Sequence, residues 1–271
     1  MKANDTARPR RGRWLMVSLR VFTGLVFAFL MLPLLIVFPI SFSSSAYLRF
    51  PPPGFSLRWY QAYLDDPIWI DATLRSVKIG VVSTALAVVL GTLLAFSIVR
   101  GRYRGREALN QISALPIIVP SIVYSIAVYG LFAKLKLIGL WQGIALAHTV
   151  HAIPYVTIIV AAGLRTFDIA QEHAAMGLGA SRLRAVWRVT LPQIRPSLIS
   201  AAFLAFVASF DELVIAMFLG GSNMTLPKKM FDNIMMEIDP TIAAVSVLKI
   251  TLVTLLMFLA ARFGAGLRPA V

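Results

Sequence analysis

Two adjacent carboxylates, Asp211-Glu212, interrupt an otherwise apolar run. Ionisable groups at membrane depth are costly and face a cavity or a partner. The pair can attract a cationic solute by Coulomb attraction. Equally, it can be a structural pair neutralised by a base such as Lys249. Phe210 precedes it, and Tyr124 and Tyr155 stand in other apolar runs. Aromatic faces of this kind can share the attraction for a cation, so Asp211, Glu212, Phe210, Tyr124 and Tyr155 are the candidates for a solute path. Tyr129 and Trp141 read as packing or interface residues. His148 and His151 lie at i, i+3, a spacing that suits a metal. Cysteine is absent and no neighbouring carboxylate completes a ligand set, so helix packing or a polar contact at a pore is expected of the two histidines, and no metal. Nothing resembles a P-loop, G-x-S-x-G or H-E-x-x-H. The chain therefore offers no place of its own for ATP.

A second group of residues lies in a polar segment between two apolar ones. It reads Glu172-His173-Ala174-Ala175-Met176-Gly177-Leu178-Gly179-Ala180-Ser181, then Val189-Thr190-Leu191-Pro192. Two short helices are expected. Asp168, with Gln171 three residues on, suits a capping box. Gly177 or Gly179 suits a left-handed helix end. Ser181 suits the next N-cap, Arg182 to Arg188 the second helix, and Pro192 its end. Leu183, Val186 and Trp187 would share one face. A unit this small cannot fold alone and must lean on something. Its small residues Ala174, Ala175, Gly179 and Ala180 permit close approach of another backbone.

The elements that carry these groups are membrane spans. The chain has 271 residues, of which 58% are hydrophobic, against 45–50% for a soluble domain. Six runs are long enough to cross a bilayer: about 15–42, 73–99, 108–133, 140–164, 196–219 and 241–262. The run at 15–42 is too long for a signal-peptide core. The formal net charge is +14, but the bases sit at the ends of apolar runs, not on a soluble domain, which excludes a nucleic-acid partner. The N-terminal segment, the loop with Arg100, Arg102, Arg104 and Arg106, and the loop with Arg165, Arg182, Arg184, Arg188 and Arg195 are the basic ones. Together with the C-terminal arginines they hold about twice the bases of the opposite loops, which places both termini in the cytoplasm. Arg49, Arg58, Arg75, Lys78, Lys134, Lys136, Lys228 and Lys229 are assigned to those opposite loops. The expected layout is a basic tail at 1–14, a six-span domain at 15–262 with an inserted loop at 165–195, and a second tail at 263–271. The first external loop, about 43–71, holds Pro51-Pro52-Pro53-Gly54, which suits polyproline geometry followed by a short interfacial helix. It is either a connector or a docking surface. Gly139-x-x-x-Gly143 matches a helix-packing pattern.

The polar segment resembles the EAA loop of ATP-binding-cassette import permeases: E-A-A, three residues, Gly, nine residues, an aliphatic residue, one residue, Leu-Pro. Gly179 and Leu191-Pro192 set the register, and Ala174 and Ala175 fall on the two alanines. His173 falls where that family usually has Glu. Glu172, a residue earlier, is turned by about 100° and cannot present its carboxylate on the same face. His173 would hydrogen-bond instead, with pH sensitivity. The strings Ser209-Phe210-Asp211-Glu212-Leu213-Val214-Ile215-Ala216, Thr225-Leu226-Pro227, Glu237-Ile238-Asp239-Pro240-Thr241 and Pro53-Gly54-Phe55-Ser56-Leu57-Arg58-Trp59-Tyr60 resemble the second permease subunit of spermidine/putrescine-type importers. The likeness covers about 20–262.

That resemblance implies an all-α, six-helix type I (MetI-like) domain in the bacterial inner membrane. It implies no enzyme and no cofactor in this chain. ATP and Mg would be bound by a partner ATPase dimer, docked on a coupling loop made by Glu172, His173, Ala174, Ala175, Gly179, Ala180, Ser181, Leu191 and Pro192. A sibling permease, more in keeping with a different chain than an identical one, and a periplasmic solute-binding protein would complete the machine. The implied solute is a small cationic or amino compound, foremost a polyamine; an opine, an aminophosphonate or another amino compound is the alternative. An ion-driven secondary transporter is a rival reading, against which stands the lack of an internal repeat.

Overall fold

The computed structural model describes residues 10–236 and 239–264, with side chains from residue 15. The expected tails, apart from their inner edges, and Glu237-Ile238 lie outside that range. Every regular element among the described residues is helical, apart from one isolated bridge between Ser43 and Phe55. The helices are α1 (Arg10–Ser41), α2 (Arg58–Asp65), α3 (Pro67–Arg100), α4 (Arg106–Ile118), α5 (Ser121–Lys134), α6 (Trp141–Thr166), α7 (Ala170–Gly177), α8 (Arg182–Ala185), α9 (Leu191–Gln193), α10 (Arg195–Phe210), α11 (Val214–Leu219), α12 (Leu226–Met236) and α13 (Thr241–Gly264); a π-helical turn, Val186–Thr190, joins α8 to α9.

Four helices, α1, α3, α6 and α13, are each long and apolar enough to span a membrane. They match the runs expected at 15–42, 73–99, 140–164 and 241–262. The other two expected spans are broken. The run at 108–133 becomes α4 and α5, bent by 104°. Pro120 supplies no N–H and holds Val119 extended (φ −73°, ψ 128°), as residues before proline prefer. The run at 196–219 becomes α10 and α11, with Asp211 to Leu213 between them. A further bend of 71° separates the α8–α9 segment from α10. Arg75 and Lys78, assigned to a loop from sequence, lie inside α3, and Lys78 sits 3.9 Å over the Trp141 ring.

By contacts the chain forms two compact units, drawn from Met1–Tyr63 with Ile238–Leu248 and from Leu64–Glu237 with Lys249–Val271. In the first, the proline stretch is closed into a loop. Ser44 N–H donates to the Gly54 carbonyl at 2.9 Å and Ser56 N–H to the Phe42 carbonyl at 2.7 Å. Arg58 donates to the Ser44 carbonyl, and Ser41 and Tyr60 share a 2.8 Å hydrogen bond. The expected short helix follows as α2.

In the second unit α3, α6 and α10 form the core. Asp66 caps α3 by accepting from Ile68 N–H at 2.8 Å, with Pro67 in the first turn, where its missing N–H costs nothing. Ser76, Gly80, Ser83, Ala87, Gly91 and Ala95 recur every three or four residues along α3 and are all buried. Small residues in this register let backbones approach closely in a membrane. A Cβ on Gly91 would stand 2.7 Å from Cβ of Val156 on α6, and one on Gly80 would stand 2.9 Å from the Phe206 ring on α10. Ser83 Oγ donates to the Ala145 carbonyl at 2.9 Å across the same seam. The packing motif is therefore on α3. Gly139-x-x-x-Gly143 instead closes a turn: Gly139 has φ +77°, and a Cβ on Gly143 would meet the Leu137 carbonyl.

Candidate functional site

The loop between α6 and α10 folds as two short helices, as expected, but with different ends. Asp168 Oδ1 accepts from Ala170 N–H at 2.9 Å. The capping box does not close, because the Gln171 side-chain carbonyl takes the Gln193 amide instead. Gly179, not Gly177, ends α7, with φ +92°. Ala180 N–H reaches back to the Ala175 carbonyl at 3.1 Å, a left-handed helix end. Ser181 caps α8, accepting from Arg184 N–H at 3.4 Å. The second helix is α-helical only to Ala185. It then widens into the π turn, and Pro192 opens the single turn α9 instead of ending the helix.

The polar anchor of this loop is Glu172. It is 3% exposed, while His173 is exposed. Glu172 Oε2 accepts from Arg100 Nη1 at 2.5 Å and from the Thr190 hydroxyl at 2.6 Å. Arg100 ends α3, and Thr190 ends the π turn. One carboxylate oxygen thus ties a span to both halves of the loop. Burial pushes the Glu172 carboxyl up, but the Thr190 hydroxyl, Arg100 and the more distant Arg182 outweigh it and hold the pKa below its ordinary 4.5. The Arg100 guanidinium also lies 5.0 Å from the Phe96 ring and 5.6 Å from that of Phe167. Glu172 and His173 lie on different faces, as their 100° separation requires, and Arg100, a topology signal in the sequence, is the partner that the carboxylate finds. The signal that sequence reading could have used was the pairing of the loop's one glutamate with the last basic residue of a span.

With Glu172 turned inward, the loop presents apolar groups outward. Leu178 is 91% exposed, Leu183 69% and Trp187 66%. Val186, expected to share their face, is half-buried. Ala174, Gly179 and Ser181 are exposed among them, Ala175, Ala180 and Leu191 are half-buried, and Pro192 is exposed.

The second group surrounds the break after α10. Asp211 pairs with Lys249 of α13. Glu212 Oε1 accepts from Ile215 N–H at 3.1 Å and so caps α11, a stabilising place for a carboxylate. Its other oxygen is 3.9 Å from Nε2 of His151. The Asp211 side chain is 66% exposed and that of Glu212 11%. Both border a cavity of about 500 Å³ that also includes His151, Tyr155, Pro120 and Ser121. Both helix breaks therefore meet at one cavity. His148 is fully buried and bonds Ser209 Oγ at 2.8 Å. No group of three or more potential metal ligands occurs among the described residues.

Of the aromatics expected on a solute path, Tyr155 borders the cavity. Tyr124 is one step back: its hydroxyl donates to the Ala147 carbonyl at 2.9 Å, and its ring is 6.1 Å from His151. Phe210 is displaced from that role. It is 1% exposed and stacks on Phe206 with centroids 5.4 Å apart. His151 borders the cavity, as a polar contact at a pore would, and Ser209 is the partner of His148.

Residues 87–269 match the family described as binding-protein-dependent transport system inner membrane component. The chain is 34% identical to the putrescine transport system permease protein PotI of Escherichia coli K12 over 242 residues, 86% of each chain. It is 30% identical to the spermidine/putrescine transport system permease protein PotC of Haemophilus influenzae, over 85% of this chain and 90% of that one. Its fold matches a chain from the crystal structure of a bacterial ABC transporter that imports the acidic polysaccharide alginate. There the TM-score is 0.74 at 18% identity, over 95% of this chain and 99% of the other. The chain belongs to the inner-membrane permeases of binding-protein-dependent ABC importers.

Proposed function

We propose that this permease carries a polyamine or a similar cationic amine into the cytoplasm. The observation that carries the reading is the pair Asp211 and Glu212 at a cavity where two broken helices meet. Broken helices at membrane depth are tolerated where they line a cavity, and a carboxylate there lowers the barrier for a dehydrated cation. The names of PotI and PotC add support. The two carboxylates have separate tasks. Glu212 holds the N-terminus of α11 and orients the site. Asp211, more exposed and held by Lys249, is the group a cation would meet, with Lys249 as the competing charge that keeps binding moderate.

ATP hydrolysis in importers of this family is done by a partner ATPase. The loop at 165–195 is its docking element in this reading, through Leu178, Leu183 and Trp187 around Gly179. ATP and Mg stay with that partner. A second, different permease completes the pathway, a periplasmic solute-binding protein delivers the solute, and both termini lie in the cytoplasm. ATP-driven closure of the ATPase dimer would then move the helices as rigid bodies and give alternating access.

Uptake of labelled putrescine and spermidine into cells carrying the complete transporter tests the solute. Asp211→Asn is expected to cut uptake by about tenfold while assembly persists, equivalent to roughly 1.4 kcal/mol. Glu212→Gln keeps a capping oxygen and is expected to be milder, whereas Glu212→Ala costs α11 about 1 kcal/mol. Unchanged uptake in Asp211→Asn and Glu212→Gln alike would remove the carboxylates from the path. Loss of assembly would make them structural. Orientation has its own test. A reporter active only in the cytoplasm should work when fused after Arg104 or Arg184 and be silent near Pro52 or Lys228; the reverse pattern overturns the assignment.

A further inference from the structure

A cavity of about 880 Å³ lies against the Glu172–Arg100 pair. Five arginines line it: Arg100, Arg102, Arg106, Arg165 and Arg182. Among the described residues Glu172 is the sole carboxylate in that lining, and it is already bonded to Arg100 and Thr190. Arg102, Arg106 and Arg165 have no ion pair among the described residues. Nη2 of Arg100 is buried and has no hydrogen-bond partner. Arg102, Arg106 and Arg165 thus bring uncompensated guanidinium groups to one cavity, an arrangement that calls for an anion.

The position narrows the choice. Arg100 ends α3 and Arg165 lies in the last turn of α6, both spans, while Arg106 opens α4. These are the levels at which basic pockets between spans meet lipid headgroups. The rest of the wall is apolar, from Val99, Leu164, Phe167, Ile169 and Met176. A small inorganic anion would leave that wall against water. A phospholipid would place its phosphate on the guanidinium forks, which match phosphate oxygens in pairs, and its glycerol and upper acyl carbons on the apolar side. A general excess of basic residues on one membrane face accounts for arginines in these loops. It does not account for five of them around one half-apolar cavity.

We infer that this cavity binds a phosphate group, and that its carrier is an anionic phospholipid of the adjoining leaflet. The lipid would sit beside the Arg100–Glu172–Thr190 junction, so it would brace the α6–α10 loop against α3. The inference does not depend on the nature of the transported solute.

The test is native mass spectrometry of the full chain with phosphatidylglycerol and, separately, phosphatidylcholine. Wild type is compared with Arg102→Gln/Arg106→Gln/Arg165→Gln and with a charge-matched control, Arg20→Gln/Arg184→Gln/Arg188→Gln. Phosphatidylglycerol should be retained in preference to phosphatidylcholine. Each arginine removed from the cavity should weaken it by about fivefold, and the control should lose far less. A lysine version of the cavity triple, which keeps the charge, should recover part of the binding and shows that folding is not at issue. Equal losses in the cavity triple and the control would overturn the site, as would equal retention of the two lipids. Inorganic phosphate is the second probe. If it raises the thermal midpoint of wild type but not of the triple, and phosphatidylglycerol shows no preference, the lipid assignment is overturned in favour of a soluble phosphate ester.

Discussion

Glu172→Ala is expected to lower stability by roughly 3 kcal/mol and to release the loop from α3. Breaking a buried pair by removing one partner costs about 3–5 kcal/mol, because it strands the other charge. The lower end applies here: the Arg100 side chain keeps 11% exposure and borders a cavity that water can enter. Hydrogen exchange over 170–190 should rise more than in α3 or α6, since the lost oxygen held both halves of the loop. Arg100→Leu/Glu172→Leu should cost less than the sum of its single changes, because it leaves no stranded charge. A double-mutant cycle on thermal midpoints measures this, and strict additivity would mean that the pair does not hold the loop. The pH dependence has a definite sign. The pKa of Glu172 is depressed on folding, so its contribution is complete above the ordinary 4.5 and fades as pH falls below that value. Glu172→Gln should flatten the acid limb of stability and leave the neutral range with a constant loss.

The parts of the fold that sequence made legible are those set by length and apolarity. Helices α1, α3, α6 and α13 follow directly from runs longer than a bilayer is thick. The broken helices did not follow, because apolarity has no sign for a bend. Val119-Pro120 carried a local cue, but many prolines are absorbed: Pro154 stays inside α6. The break at Asp211 is set by Glu212 capping α11, a contact that needs the three-dimensional turn. In the loop, Gly179 and Ser181 were legible because each does a backbone task that only a few residue types can do. Helix-face geometry separates Glu172 from His173 correctly, but the partners of its carboxylate, Arg100 and Thr190, are distant in sequence and carry no local sign. Phe210 was misplaced by sequence adjacency: it is next to Asp211 along the chain but points into the packed seam with Phe206.

Gly179→Asp is expected to abolish coupling, with uptake down at least tenfold, or about 1.4 kcal/mol of coupling free energy, in a chain that still assembles. Two causes can be separated. The backbone at Gly179 has φ +92°, where a side chain is strained by about 1–2 kcal/mol. Asn and Asp tolerate that region best among non-glycine residues, so Gly179→Asn and Gly179→Asp share nearly the same strain. A Cβ at this position meets nothing within 4 Å in the chain itself. A steric effect of that Cβ beyond strain must therefore come from another subunit. Leu178, Leu183 and Trp187, exposed nearby, are the apolar surface such a subunit would cover. The expected order of uptake is wild type, then Gly179→Asn, then Gly179→Asp, with similar thermal midpoints for the two variants of the isolated chain. Solute-stimulated ATP hydrolysis should follow uptake. Normal uptake by Gly179→Asp would remove the loop from coupling. Equal, small losses in both variants would reduce Gly179 to a turn residue and move the partner surface elsewhere.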